Sequence, residues 1–378
     1  MTSMKNSILL GALLAAFAVA SRPPDLPFDK KTLDLGASET AAFADMNGDG
    51  KLDIVSSEYW YEAPAWKQHR FREIAFASNY IDDFSDLPFD ADGDGKVDIV
   101  SCAWFGKNLT FWKNPGAKGG MWKSTDIQAG ASIEFCFLVD LDNDGQAREV
   151  LPQFGDTKQP LAWYEFKNGA WQTHKVSDKS YGHGIGAGDV NKDGRADVLV
   201  PTGWFEAPAD ARTGTWTWHG DFEPLGLKST SFMHVLDCDG DGRNDIVTGL
   251  AHDYGLLYLR NLGEGKWQKN VIDDSWSQPH AITIVDLNKD GQLDVLTGKR
   301  YMAHNGKDPG EREPLGVYWF EWRKLPNGKL DWARHIVDFG TRTGAGMQLP
   351  AADIDRDGDI DIVAPGKSGL FLFENRTR

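Results

Sequence analysis

The 378-residue chain contains only three cysteines, Cys102, Cys136 and Cys238. So sparse and odd a set excludes a disulfide framework, and stability has to come from a core or from bound ions. Basic residues are also scarce: 40 Lys and Arg stand against 56 Asp and Glu, a formal charge of −16. That argues against nucleic acid as a partner, because such binding rests on neutralising phosphates with cations. Beyond residue 20 there is no long apolar run, so no membrane span is expected in the mature chain. No Ser-His-Asp pattern, phosphate loop or nicotinamide site is visible.

The first twenty residues, MTSMKNSILLGALLAAFAVA, combine Lys5, an apolar run from Ile8 and small residues up to Ala20. They read as a secretory signal, which makes residues 21–378 an exported, periplasmic or extracellular chain forming a single domain. The 41 Gly and 15 Trp suit a turn-rich β protein.

A nine-residue pattern, D-x-[DN]-x-D-G-x-x-D, organises the chain and recurs seven times. It places Asp45, Asn47, Asp49 and Asp53 in the first cage, and Asp90, Asp92, Asp94 and Asp98 in the second. The third has Asp140, Asp142 and Asp144, with Arg148 at the ninth position and Glu149 one place late. Asp189, Asn191, Asp193 and Asp197 form the fourth, and Asp237, Asp239, Asp241 and Asp245 the fifth. Asp286, Asn288, Asp290 and Asp294 form the sixth, and Asp353, Asp355, Asp357 and Asp361 the seventh. Successive cages begin 45, 50, 49, 48, 49 and 67 residues apart, a period expected of propeller blades. Each repeat reads as four strands: an apolar one before the cage, a second after it, an aromatic third such as YWYEAP or GWFEAP, and a fourth such as WQTHKVSD. The predicted fold is all-β, a seven-bladed propeller. The last repeat lacks its fourth strand, and FDKKTLDLG near the start supplies a spare one, so the N-terminal strand should close the last blade.

Oxygen ligands at positions 1, 3, 5 and 9, with Gly at 6, follow the order of a calcium loop, so several structural Ca²⁺ ions are expected. The third cage, with its displaced Glu149, is the one expected to be altered. These repeats resemble the FG-GAP/VCBS class of calcium-loop propellers. More narrowly, GHGIGAGDVNKDGRADVLVPTGWFEAP, AHDYG and TGKRYMAHNGKDPGEREPLGVYWFEW resemble the propeller of aldos-2-ulose dehydratases. That resemblance implies metal-dependent dehydration of keto-sugars. Those enzymes also carry cupin domains, which are not found in these 378 residues.

Strand direction puts the cages on one face of the disc and the starts of the first strands on the other. His183 and His280 both sit six residues before a cage, and Glu39 and Glu134 hold the same position in other repeats, with Asp83 close to it. Such a ring could bind Zn²⁺ or Mn²⁺ through His183, His280 and Glu134, or supply a general base. His252, Tyr254 and Lys299 are candidates for acid, base or anchor, joining His183 and His280 as catalytic residues. The insertion Lys299–Pro314 explains the 67-residue spacing and adds Arg300 and His304 as substrate contacts, beside Glu39, Asp83 and Trp204. Trp60, Trp104, Trp204 and Tyr254 are expected to offer stacking surfaces for a sugar near the same rim. The glycines around His183 should leave room for a ligand. Outer-strand His69, His174, His219 and His335 read as packing residues. The expected function is β-elimination or dehydration of a keto-sugar or uronate-type saccharide. The alternative is a non-catalytic, calcium-stabilised propeller that binds a glycan or protein.

Overall fold

A computed structural model of the chain describes residues 25–377. The expected signal, residues 1–20, lies outside the described residues. The fold is an all-β propeller with only two short 3-10 turns, Gly116–Lys118 and Glu223–Leu225, among the described residues. None of its helices is long and apolar enough to cross a membrane.

Each cage is a loop between a first and a second strand. Its first Asp accepts a hydrogen bond from the amide of the position-6 Gly in all seven repeats, at 2.7–3.1 Å. Those glycines have φ between 82° and 98°, a conformation that a Cβ would strain. The ninth residue opens the second strand and is buried, as at Asp53, Asp98, Asp197 and Asp245. Its carboxylate ties the repeat together. Asp197, for example, accepts the amide of Val190 in the cage at 2.8 Å and that of Ala207, just past the third strand, at 2.9 Å. In the third repeat the longer Glu149 reaches the cage from one position later, accepting the Leu141 amide at 2.9 Å. Burial pushes the Asp197 carboxyl up to about 7 and that of Glu149 also to about 7.

The second strands form the dry centre of each sheet, as in Asp53–Ser56 and Asp294–Lys299, where every residue is buried. In four repeats a third-strand Trp stacks on a fourth-strand His, with ring centroids 3.9–4.2 Å apart: Trp60/His69, Trp163/His174, Trp204/His219 and Trp319/His335. In three of them the His Nε2 meets a Glu two residues after the Trp, at 2.8–2.9 Å. These imidazoles are packing residues, as their outer-strand position suggests.

Strand Phe28–Asp34 pairs antiparallel with Gly369–Asn375, from Phe28↔Asn375 to Asp34↔Leu370, and supplies the missing fourth strand of the last sheet. The sheet count departs from seven separate blades. Five four-stranded sheets stand alone, while repeats four and five merge into one eight-stranded sheet. Their innermost strands, Ile185–Gly188 and Phe232–Leu236, pair in parallel through Ile185↔Phe232, Gly186↔Met233 and Ala187↔His234. Glycine is the reason. A Cβ at Gly186 would lie 2.1 Å from the Met233 carbonyl oxygen, one at Gly184 1.9 Å from Thr230 Oγ1, and one at Gly188 2.6 Å from Val235 Cβ. The glycines beside His183 therefore admit a neighbouring strand, where the sequence suggested space for a ligand.

Gly186→Ala should accordingly part the two strands. Overpacking costs about 1–3 kcal/mol, and with main chain as the obstacle the loss is expected at the upper end of that range. Urea unfolding measures it, and wild-type stability in the variant would refute the close pairing.

Candidate metal centre at the channel mouth

The first strands converge on the ring axis, and around it they enclose a cavity of about 530 Å³ lined by Leu87, Phe137, Ala187, Phe232, Ile282 and Leu349. His234 also faces it, bonded through Nε2 to the Ile282 carbonyl at 3.0 Å, and burial lowers its pKa to about 4. At the end away from the cages, Phe135 packs edge-on against both His183 and Phe232, with centroids 4.9 Å apart in each case. An aromatic layer thus separates the cavity from a polar cluster above it.

That cluster is Glu134, His183, His252 and His280, whose ligand atoms all lie within 4.8 Å of one another. It draws on four successive repeats. Glu134 belongs to strand Ile133–Val139, His183 precedes Ile185–Gly188, His252 lies in the turn before Tyr254–Gly263, and His280 sits in Pro279–Val285. His183 Nδ1 lies 2.8 Å from the Thr230 carbonyl oxygen, an atom that only accepts, so this nitrogen carries the proton. The same reasoning applies to His252 Nδ1, 2.7 Å from Asp308 Oδ2, and to His280 Nδ1, 3.3 Å from the Gln278 carbonyl. In a neutral ring Nε2 is then the lone-pair nitrogen, and His183 Nε2, which also faces a Glu134 oxygen, needs a proton or a cation between the two. His183 Nε2 is 2.9 Å from His252 Nε2 and 2.9 Å from Glu134 Oε2, and His280 Nε2 is buried without a hydrogen-bond partner. Two lone pairs at that separation repel unless a proton or a cation lies between them.

Electrostatics keep Glu134, His252 and His280 in their ligating forms. Burial, and after it the charge of Arg300, holds His280 well below the usual imidazole range. Burial and then His183 lower His252 to about 4. Burial opposes ionisation of Glu134, yet His183, Arg300 and His280 together hold its carboxyl well below the carboxylate range. Neutral His252 and His280 beside an ionised Glu134 give, with His183 Nε2, a donor set suited to Zn²⁺, Mn²⁺ or a related ion.

The insertion in repeat six folds over this cluster. Arg300 is buried and bridges Glu39 Oε2 at 3.0 Å and Glu134 Oε1 at 2.7 Å. The Met302 carbonyl accepts Lys367 Nζ at 2.6 Å. Asn305 reaches across to the Ser78 carbonyl at 3.2 Å and to Asn79 at 3.3 Å, at the tip of the small hairpin formed by Phe76–Ala77 and Tyr80–Ile81. His304 stacks on His252 with centroids 4.1 Å apart, and its Nδ1 meets Asp308 Oδ1 at 2.9 Å. Its side chain is 53% exposed, against 15% for His183 and 13% for His252.

Other residues singled out in the sequence are not members of this cluster. Lys299 is buried, donating to Ser277 Oγ at 2.5 Å, and Tyr254 donates its hydroxyl to Glu313. Asp83 is buried in an ion pair with Arg72 at 2.8 Å and does not face the mouth as a free carboxylate. Trp204 and Trp60 line clefts beside the cages, with Asn191 and Gly242 in one case and Asp45 and Asn47 in the other. The third strand runs back toward the cage, which carries these rings to that face. One side of each is covered by its histidine, so neither is a stacking platform at the mouth. Sequence reasoning missed Asp308, Lys367 and the carbonyls of Thr230 and Gln278. Only Asp308 left a trace, as an acid four residues after His304 in an unusually long loop.

Residues 237–297 match a family model described as an FG-GAP-like repeat. No curated protein matches the chain. Among solved structures, the exotype rhamnogalacturonan lyase YesX is similar at 13% identity, with 94% of this chain and 75% of that chain covered and a TM-score of 0.51. BBS1N in complex with ARL6DN is similar at 10% identity, with 92% and 99% covered and a TM-score of 0.51. An Agrocybe aegerita lectin recognising non-reducing terminal N-acetylglucosamine aligns at 16% identity, with 83% and 81% covered and a TM-score of 0.47. The first two likenesses support the propeller fold and carry nothing about chemistry.

Burial lowers the Lys299 pKa from 10.5 to about 8. Below pH 8 the folded chain holds an ammonium group out of water that the unfolded chain solvates. Between about 8 and 10.5 the folded state has lost that proton and the unfolded state has not, so the unfavourable contribution fades as pH rises. Lys299→Met is therefore expected to be more stable than wild type at pH 7, with the gap closing toward pH 10.5 in denaturant titrations. A gap independent of pH would overturn this.

Proposed function

We propose that this chain is an exported, metal-dependent carbohydrate-active enzyme of the lyase type, working at the channel mouth opposite the cages. The reaction is β-elimination or dehydration beside a carbonyl in a keto-sugar or uronate. The observation that carries this reading is the aim of three imidazoles, each donating Nδ1–H outward, with their Nε2 atoms gathered in one cluster with Glu134. Donation of the remote ring nitrogen to a carbonyl or carboxylate is the usual outer support of a metal-bound histidine. His183, His252, His280 and Glu134 would hold the ion, which would polarise a substrate oxygen as a Lewis acid.

The remaining steps fall to the chain's own side chains. His304, oriented through Nδ1 by Asp308 and half exposed beside the cluster, is the base that takes a carbon-bound proton in this reading. Tyr254, half-buried beside Gly310 of the insertion and paired with Glu313, is the proton donor for the leaving oxygen in this reading. The insertion excludes water once substrate is beneath it.

The repeats are read as seven, with two fused into one sheet, in a single domain spanning residues 21–378 after removal of the signal. The cages are read as Ca²⁺ sites, in which an ion would neutralise carboxylates that now lean on neighbouring Lys and Arg, such as Lys51 on Asp49 and Lys96 on Asp94.

A structural metal is the second reading, favoured by the burial of His280 at 0% and Glu134 at 6%. It leaves metal binding intact and removes turnover.

Two measurements test these readings. Incubation with keto-sugars and uronates is expected to generate ultraviolet absorbance from an unsaturated product. His183→Ala combined with His280→Ala should lower that rate at least about 10²-fold and remove the transition metal while leaving calcium content unchanged. An equally active double variant sinks the assignment, and turnover absent from the metal-loaded wild type favours the structural reading. Separately, chelation of calcium is expected to lower the melting temperature by several degrees, reversed by adding Ca²⁺. An unchanged melting curve would argue against calcium in the cages.

A further inference from the structure

We infer that Asp308, carried by the repeat-six insertion, is the positioning residue of the metal centre: one carboxylate both orients His252 as a ligand and ties the insertion over the mouth. This rests on the metal reading above and goes beyond it by assigning the insertion to the centre's outer support.

The three imidazoles are not held alike. His183 and His280 donate to main-chain carbonyls, of Thr230 and Gln278, whose places are set by the sheets around them. Thr230 is bridged to Leu250, and the Gln278 carbonyl also accepts the Arg300 amide at 3.1 Å. His252 alone depends on a side chain, through Nδ1 and Asp308 Oδ2 at 2.7 Å. The other oxygen, Oδ1, takes His304 Nδ1 at 2.9 Å.

An ion shared by His252, His304 and Asp308 is the competing explanation, since these three also cluster. The ring geometry disfavours it. The two rings stack 4.1 Å apart and within 16° of parallel, so their Nδ1 lone pairs run side by side and do not converge. A first-row ion needs nitrogens aimed at one point about 2.0–2.1 Å away. Two N–H donors on one carboxylate fit this arrangement.

Asp308 lies in a loop that is also latched at its tip by Asn305, through side-chain hydrogen bonds with Ser78 and Asn79 at the surface. The tip latch is remote from the ligands in bonding terms, whereas the Asp308 latch includes one. At the root of the insertion Arg300 holds Glu134, and at its far end Asp308 holds His252, so there the aim of a ligand and the seating of the loop share one carboxylate.

The test is a titration of Zn²⁺, followed by calorimetry, and of Co²⁺, followed by its visible absorption. Both are run in excess Ca²⁺ on full-length protein stripped of transition metal. Wild type is expected to bind one ion. Asp308→Ala should bind about 10–100-fold more weakly with an altered Co²⁺ band, Asp308→Asn should fall between, and Asn305→Ala should match wild type. Equal affinity and an identical Co²⁺ spectrum in Asp308→Ala would overturn the inference while leaving the metal reading intact. A wild type that binds neither ion overturns the metal reading, and this inference with it.

Discussion

A buried carboxylate at the start of each second strand holds the architecture together. It leaves water because main-chain amides replace its hydration, from the cage on one side and, in repeats such as the first and fourth, from beyond the third strand on the other. Losing that carboxyl group would leave these buried amides unsatisfied. The same residue thus fixes where the cage ends, where the driest strand begins and where the third strand stops. Because the cage end is fixed on one face, the start of each first strand is fixed on the other. Residues six before the cage, Glu134, His183 and His280 among them, are delivered to a common place.

The mouth uses a different logic. The repeat brings equivalent positions together there, but their side chains and partners differ from sheet to sheet. Its order comes from which atoms accept hydrogen bonds: two main-chain carbonyls and one carboxylate each take an imidazole proton and turn the opposite nitrogen inward. Arg300 occupies one oxygen of Glu134 and leaves the other toward His183. The low pKa values of His252 and His280 and the ionised Glu134 have one common origin, burial of several titratable groups around a single point.

Much of this is legible in the chain. The cages announce themselves by spacing, and the displaced Glu149 marks the one repeat where a longer side chain reaches the same amide. The strand left over near residue 28 and the one missing near residue 375 are complementary in the repeat pattern alone, and they pair. The meeting of His183, His280 and Glu134 follows from equal offsets. What escapes the sequence are contacts between elements that share no period. The glycines around His183 read as space, because a sequence does not say whether a gap is filled by ligand or by a neighbouring strand. Trp204 lies on the face opposite to the expected one, because the third strand returns to the cages and carries its ring with it. Asp308 is hidden because irregular loops carry no periodic signal, and its partners, His252 and His304, lie 56 and 4 residues away.

The closure of the last sheet carries a consequence for biosynthesis. Residues 28–34 pair with residues 370–375, so one sheet edge stays unpaired until that distant segment has left the ribosome. An open edge is a template for intermolecular pairing, and contacts this distant in sequence form late. The nascent chain therefore passes through a stage in which an incomplete ring presents a sticky rim, and the charged residues Asp29, Lys30 and Lys31 on the waiting strand are placed to discourage unwanted neighbours during that interval.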